Sequence, residues 1–224
     1  LLLAFASINL KADQTIGGTA LNLLATAIAV VLAKNFSDSG SAKLNYTNAA
    51  FIYKIGPFTV NIFLFIGIIL LICSYVFLFK TKWGLRLRAC GEHPQAADSV
   101  GINVYQWRYT GVIISGALGG IGGFAYIVPS VTTWNFEVGV AGAGFLALAV
   151  MIFGQWKPFH IAGAAVFFAV FRSLANIADS TVLSHLGLSK NIYSMMPFIA
   201  SMIILAFTSK NSQAPKAEGI PYDK

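Results

Sequence analysis

Arg172 is the one basic residue that falls inside a long apolar run of this 224-residue chain. An ionisable group is costly in hydrocarbon, so Arg172 marks a candidate contact for a polar solute. Asn176 follows one helical turn later, and Asn22 sits in a different apolar run. These three are candidates to line a translocation pathway. The plainer reading is that Arg172 snorkels outward toward Asp179 while the asparagines hydrogen-bond between helices. Catalytic chemistry lacks its parts. His93, His160 and His185 are scattered, and Cys73 and Cys90 offer neither a metal-ligand spacing nor a reasonable disulfide. No Gly-x-x-x-x-Gly-Lys-Ser/Thr loop is present to cradle phosphates. The chain is therefore expected to catalyse nothing and to hold no metal or cofactor.

A second group of residues is polar and contiguous: Trp83-Gly84-Leu85-Arg86-Leu87-Arg88-Ala89-Cys90-Gly91-Glu92-His93-Pro94-Gln95-Ala96-Ala97-Asp98-Ser99-Val100-Gly101-Ile102. Glu92 or His93 can precede a short helix with Pro94 in its first turn, a position that proline tolerates. Residues 95–100 supply a turn or two, and Gly101 is a natural stop. Small Ala96 and Ala97 would let another protein approach such a helix closely. An ordinary loop with one amphipathic turn accounts for the same residues, and their chemistry alone leaves both readings open.

The elements that must position these residues are membrane helices. The chain is 57% hydrophobic and 10% charged, against roughly a quarter charged in soluble domains. Five apolar runs, 15–33, 60–79, 109–128, 159–178 and 192–207, approach the roughly 20 residues a spanning helix needs. A sixth, 140–153, is short and glycine-rich, which points to a tilted, broken or re-entrant segment. Residues 1–6 read as the tail of a helix that begins before the sequence does. The expected fold is all-α, a polytopic transmembrane bundle of about six spans, because open strand edges cannot be satisfied in hydrocarbon. Residues 1–208 would form this domain. Residues 209–224, with Pro215 and Pro221, would form an extended tail.

Lys and Arg in the loops set the orientation. The loop 80–108 holds Lys80, Lys82, Arg86, Arg88 and Arg108. Placed in the cytoplasm, it brings Lys11, Lys157, Lys210, Lys216 and Lys224 to the same side. Lys34, Lys43, Lys54 and Lys190 then face outside, and the C-terminus is cytoplasmic. This distribution also explains the net charge of +7 without nucleic acid, since no basic polar domain exists. The polar stretch 37–54 becomes an external loop. Residues 139–144, after Trp134-Asn135-Phe136, become either an external gate or a loop with an interfacial Trp anchor. Gly116 with Gly120, and Gly119 with Gly123, have the spacing of closely packed membrane helices, a reading preferred to a solute contact.

Residues 83–102 resemble the cytoplasmic coupling loop of ABC importer permeases, with Glu92, Ala96, Ala97 and Gly101 matching its Glu-Ala-Ala-then-Gly signature. The gap between Glu92 and Ala96 is wide. Further blocks resemble the nucleoside and simple-sugar permeases, relatives of the branched-chain amino acid and ribose permeases. They are Ala12-Asp13-Gln14-Thr15-Ile16-Gly17-Gly18-Thr19-Ala20-Leu21-Asn22, Ser115-Gly116-Ala117-Leu118-Gly119-Gly120-Ile121-Gly122-Gly123, Gly144-Phe145-Leu146-Ala147-Leu148-Ala149-Val150-Met151-Ile152-Phe153-Gly154, Ala214-Pro215 and Pro221-Tyr222-Asp223-Lys224. The resemblance implies a non-catalytic permease subunit in the plasma membrane, importing nucleosides or a related simple-sugar-type solute. Glu92, Gln95, Ala96, Ala97, Asp98 and Gly101 would form the loop that docks in a cytoplasmic ATPase, which uses the ATP. A second permease subunit, in a heterodimer, and an extracytoplasmic solute-binding lipoprotein would complete the assembly. A permease for sugars or branched-chain amino acids is the nearest alternative. An ion-coupled secondary transporter or channel is the alternative from another class, and it would want several ionisable groups at mid-membrane where only Arg172 stands.

Overall fold

The computed structural model describes residues 1–37, 40–48, 51–55, 58–140, 142–177 and 214–222, together with Met195, Ile199 and Met202. The expected span 192–207 and Asp179 lie outside these residues, apart from the three single positions. The chain packs as two units, Leu1–Ala141 with Pro215–Lys224, and Gly142–Ala214.

The first unit opens with a short helix, α1 (Leu2–Ala4), that runs into a π-helical turn (Phe5–Asn9). Its three long helices are α2 (Gln14–Phe36), α3 (Ile62–Lys80) and α6 (Val104–Ile127). Each is started by an Asp or Asn whose side-chain oxygen accepts from an amide that the first turn leaves unpaired. Asp13 accepts from Thr15 at 2.7 Å and Ile16 at 3.1 Å. Asn61 accepts from Phe63 at 2.9 Å, and Asn103 from Gln106 at 3.2 Å. Those amide bonds, led by that of Ile16, hold the Asp13 carboxyl below its ordinary range.

At 23, 19 and 24 residues, these helices are long and apolar enough to cross a bilayer. No residue in their apolar stretches is buried within the chain. Ile16, Leu23, Ile28 and Val31 of α2, and Leu64, Ile69 and Ile72 of α3, are all exposed. In water such faces would be untenable; in a bilayer they meet lipid or a neighbouring subunit.

Two small sheets lie in the connections. β1 (Lys43–Asn45) pairs antiparallel with β4 (Thr133–Asn135), Lys43 opposite Asn135 and Asn45 opposite Thr133. β2 (Ile52–Ile55) and β3 (Phe58–Asn61) form a hairpin with Ile52 opposite Asn61. The β1–β4 pair is supported by the Thr133 hydroxyl donating to Asn45 Oδ1 at 2.7 Å and the Tyr46 hydroxyl donating to the Ile127 carbonyl at 3.2 Å. It ties the expected external loop 37–54 to the segment after α6. Phe51 stacks on Phe63, and both meet Phe124 edge to face, with ring centroids 5.5–6.1 Å apart.

In the second unit α7 (Ala143–Phe153) and α8 (Pro158–Ile177) form a helical hairpin. With 11 residues α7 spans only about 16 Å, half the hydrocarbon thickness. This agrees with the short sixth run. At the turn, a Cβ on Gly154 would stand 2.5 Å from the backbone of Ile161, so only glycine allows this approach. Phe153 stacks on Phe167 at 5.7 Å.

Candidate functional site

Between α3 and α6 lie two shorter helices, α4 (Lys82–Glu92) and α5 (Pro94–Ser99). Thr81 breaks the chain between α3 and α4 with one extended residue, φ −112° and ψ 155°. Its hydroxyl donates to the Phe77 carbonyl at 2.6 Å and accepts from the Gly84 amide at 3.1 Å, joining the two helix ends. The bend is sharp enough that a Cβ on Gly84 would lie 2.1 Å from the Phe77 carbonyl oxygen. Trp83 meets Trp107 of α6 edge to face at 5.3 Å, and the Arg88 guanidinium lies 4.7 Å from the centre of the Phe79 ring.

After His93, α5 begins on Pro94 and ends in a two-bond cap. The Ile102 amide donates to the Ala97 carbonyl at 3.1 Å and the Gly101 amide to the Asp98 carbonyl at 2.9 Å. Gly101 has φ +83°, the left-handed conformation this cap requires at its glycine. The apolar contact that accompanies such a cap is present too, with Ile102 packed against the cluster containing Ala97.

That cluster is Cys90 from α4, Ala97 from α5, Val104 from α6 and Tyr222 from the C-terminal segment, bordered by Ala89, Ile102, Tyr105 and Trp107. The C-terminal segment is therefore not the extended tail expected of it. Residues 216–219 form a turn, closed by the Glu218 amide donating to the Pro215 carbonyl at 3.0 Å. The turn is anchored on the loop. Ala217 donates to the Gly91 carbonyl at 3.0 Å, and Arg108 Nη1 to the Ile220 carbonyl at 2.9 Å. The Tyr222 ring lies 5.6 Å from Tyr105 and 5.9 Å from the Arg108 guanidinium carbon, and its hydroxyl hydrogen-bonds to Asp98. Lys216 stands 3.7 Å from Glu92, both well exposed.

Burial governs the titration of this cluster. It pushes the Cys90 thiol upward, with the Arg108 charge opposing. It also pushes the Tyr222 phenol upward, helped by the hydrogen bond to Asp98 and by its negative charge. Both groups are thus held neutral.

The sequence-selected loop residues divide by position. Gln95, Ala96 and Gly101 are exposed, with Val100 beside them at 74%. Glu92 is exposed and pairs with Lys216, and Asp98 is half-buried against Tyr222. Ala97 is 3% exposed and faces inward. Its smallness serves the interior of the loop, whereas that of Ala96 serves the outer face. Tyr222 and Arg108 were not among the selected residues. The signal available for Tyr222 was an aromatic side chain in a polar terminal stretch.

The pathway candidates fall in different units of the chain. Asn22 is exposed on α2 in the first unit, and Arg172 is exposed on α8 in the second. Asn176 lies on α8, with its side chain outside the described residues. Among the described residues, no group of three or more His, Cys, Asp or Glu side chains is placed to hold a metal ion. At Gly116, Gly119, Gly120, Gly122 and Gly123 an added Cβ would meet nothing within 4 Å among the described residues, so this stripe of α6 is open there.

Comparison with known proteins places the chain in a family. The model for the branched-chain amino acid transport system permease component matches residues 1–206. The nucleoside ABC transporter permease protein NupC of Lactococcus lactis subsp. cremoris (strain MG1363) is 39% identical, over 99% of this chain and 72% of its own. The guanosine ABC transporter permease protein NupQ of Bacillus subtilis (strain 168) is also 39% identical, over 100% of this chain and 73% of its own. The nucleoside ABC transporter permease protein NupB of the same Lactococcus strain is 30% identical over 51% of this chain and 32% of its own. No solved structure matches the chain significantly. With the family model matching residues 1–206 and two relatives aligned across nearly all of this chain, this multi-pass helical membrane protein belongs to the ABC importer permeases of the branched-chain amino acid transport system permease family.

Proposed function

We propose that this chain carries a nucleoside across the plasma membrane as one permease subunit of an ABC importer. The 39% identity to two named nucleoside and guanosine permeases across the whole chain carries this reading. The chain hydrolyses no ATP and holds no cofactor. A separate cytoplasmic ATPase does the hydrolysis, and its groove receives α5 through Gln95, Ala96 and Gly101 on the exposed side. Glu92, Ala97 and Asp98 shape the loop from behind. The C-terminus is cytoplasmic, a reading the Lys/Arg distribution supports. A second permease subunit pairs with this one. The pair of related Lactococcus permeases, NupB and NupC, supports a heterodimer. An external solute-binding lipoprotein delivers the solute. Asn22, Arg172 and Asn176 are the polar groups proposed to face its path. Movement of the ATPase then displaces α5, and the spans follow as a two-state rigid-body change.

Reconstitution tests this. The chain, its permease partner, the ATPase and the binding lipoprotein should take up labelled guanosine with ATP, and uptake should stop when the ATPase is inactivated, even with an ion gradient intact. Gradient-driven uptake without the ATPase would make the protein a secondary transporter. Uptake of glucose or leucine in place of guanosine would reassign the solute. Arg172→Ala should impair uptake beyond any loss of abundance, and Arg172→Lys should only partly restore it, because lysine lacks the planar fork of donors. Normal uptake in both removes Arg172 from the path.

A further inference from the structure

The helix α5 is six residues long, far below the roughly 12–15 at which an isolated helix becomes even marginally stable. Its neighbours in sequence add little, since His93 and residues 100–103 are single-residue or loop connections. A helix so short holds its place only through tertiary contact. Besides α4 and α6, the far end of the chain supplies part of that contact. Tyr222 enters the cluster of Cys90, Ala97 and Val104, binds Asp98 of α5 and meets Tyr105 and Arg108 of α6. Ala217 binds the Gly91 carbonyl at the end of α4, and Arg108 binds the Ile220 carbonyl. One segment thus grips all three helices of the loop, through a backbone bond to α4, a side-chain-to-backbone bond from α6 and a buried ring.

We propose that residues 215–222 are the positioning element of the coupling loop, with Tyr222 and Arg108 as its positioning residues. The segment sets the inclination of α5 to α6, so that a push on α5 moves α6 instead of bending the loop. This rests on the reading of α5 as the contact with the ATPase. Buried side chains and backbone hydrogen bonds resist displacement better than the exposed Lys216–Glu92 pair could. Tyr222 touches neither solute nor nucleotide; it acts through α5.

The test uses the assembled importer in proteoliposomes, in a Cys73→Ser background that leaves Cys90 as the sole cysteine. Cys90, 3% exposed, should resist maleimide when the segment is docked. Truncation after Ala214 and Tyr222→Ala should each speed Cys90 labelling tenfold or more. They should also lower the maximal rate of guanosine uptake and of guanosine-stimulated ATP hydrolysis by roughly tenfold. The KM for guanosine, membrane abundance and ATPase co-purification should stay near wild type. Tyr222→Phe keeps the ring and loses the bond to Asp98, so it should stay protected and retain uptake within about threefold. Rapid labelling of Cys90 in the wild type would overturn the proposal, as would full uptake in variants whose Cys90 has become reactive. Ala96→Trp separates the parent reading: it alters the outer face of α5 and leaves the segment untouched. If Ala96→Trp abolishes uptake while the tail variants transport normally, the positioning proposal alone has failed. If Ala96→Trp leaves uptake and co-purification intact, the docking of α5 has failed.

Discussion

The backbone amide of Ala217 donates to the carbonyl of Gly91 at 3.0 Å, completing the last turn of α4 with a residue from the far end of the chain. Gly91 is among the final carbonyls of α4 that no amide within the helix can reach. The bond depends on backbone alone. Ala217→Pro removes the donor and should release the segment, at a loss of about 1 kcal/mol for the bond. Lys216→Ala should do little, because its pairing with Glu92 is exposed on both sides. Protease nicking of the segment in detergent-purified protein would rank the two variants, and equal nicking would contradict the assignment.

Two glycines in this chain should respond oppositely to a methyl group. At Gly84 an added Cβ would stand 2.1 Å from the Phe77 carbonyl oxygen and 2.5 Å from the Leu78 Cα, both backbone atoms that cannot swing aside. Gly84→Ala should therefore destabilise the purified chain by about 1–3 kcal/mol, as overpacking does elsewhere. At Gly116 an added Cβ would meet nothing within 4 Å among the described residues, and Gly116→Ala should leave the thermal stability unchanged or slightly raised. Melting the detergent-purified chain measures both, and a tolerant Gly84 would show that the α3–α4 bend is wider than described.

Ala96 and Ala97 are adjacent yet should fail in different ways. Ala97→Trp places an indole in the cluster of Cys90, Val104 and Tyr222, so the loop should open and Cys90 become reactive. Ala96→Trp projects outward and should leave Cys90 protected while weakening ATPase co-purification about tenfold or more. Identical phenotypes, with Cys90 protected in both, would mean that α5 is rotated from the orientation found.

Alkaline pH should loosen the C-terminal segment. Cys90 is raised above 9.0 by burial, and Tyr222 above 10.0 by burial and then by the bond to Asp98. Asp98 and Tyr105 favour the neutral phenol, and Arg108 opposes both shifts. Since the folded loop prefers both groups neutral, their contribution is complete below the unbound values and is lost as pH rises through the raised ones. A nitroxide on exposed Glu218→Cys, with both native cysteines replaced, should report an ordered segment through the ordinary range of a tyrosine phenol and a mobile one once pH rises past the raised value of Tyr222. Tyr222→Phe should abolish most of the transition. Loosening on the acid side instead would mean that charged groups, not neutral ones, hold the segment.

The membrane helices were legible in the sequence because hydrocarbon leaves a spanning backbone almost no other choice. The apolar runs 15–33, 60–79, 109–128 and 159–178 correspond to Gln14–Phe36, Ile62–Lys80, Val104–Ile127 and Pro158–Ile177. The short run 140–153 corresponds to Ala143–Phe153. Helix α5 was legible as well, since Pro94 and Gly101 act locally and need no distant partner to start or stop a turn.

What the tertiary structure decided is which way those residues face and what covers them. Ala96 and Ala97 are the same residue type, and only the packing of α5 against α4 and α6 makes one a surface and the other a core position. The three-residue strands β1 and β4 carry too short an alternation to announce their pairing. The C-terminal segment has no periodicity at all. Two prolines and a polar run read as extended chain, and the turn over residues 216–219 exists alongside hydrogen bonds that the Gly91 carbonyl and the Arg108 side chain supply from more than a hundred residues away. Such contacts are absent from any local pattern, because the energy that bends the segment resides in its partners and not in its own residues.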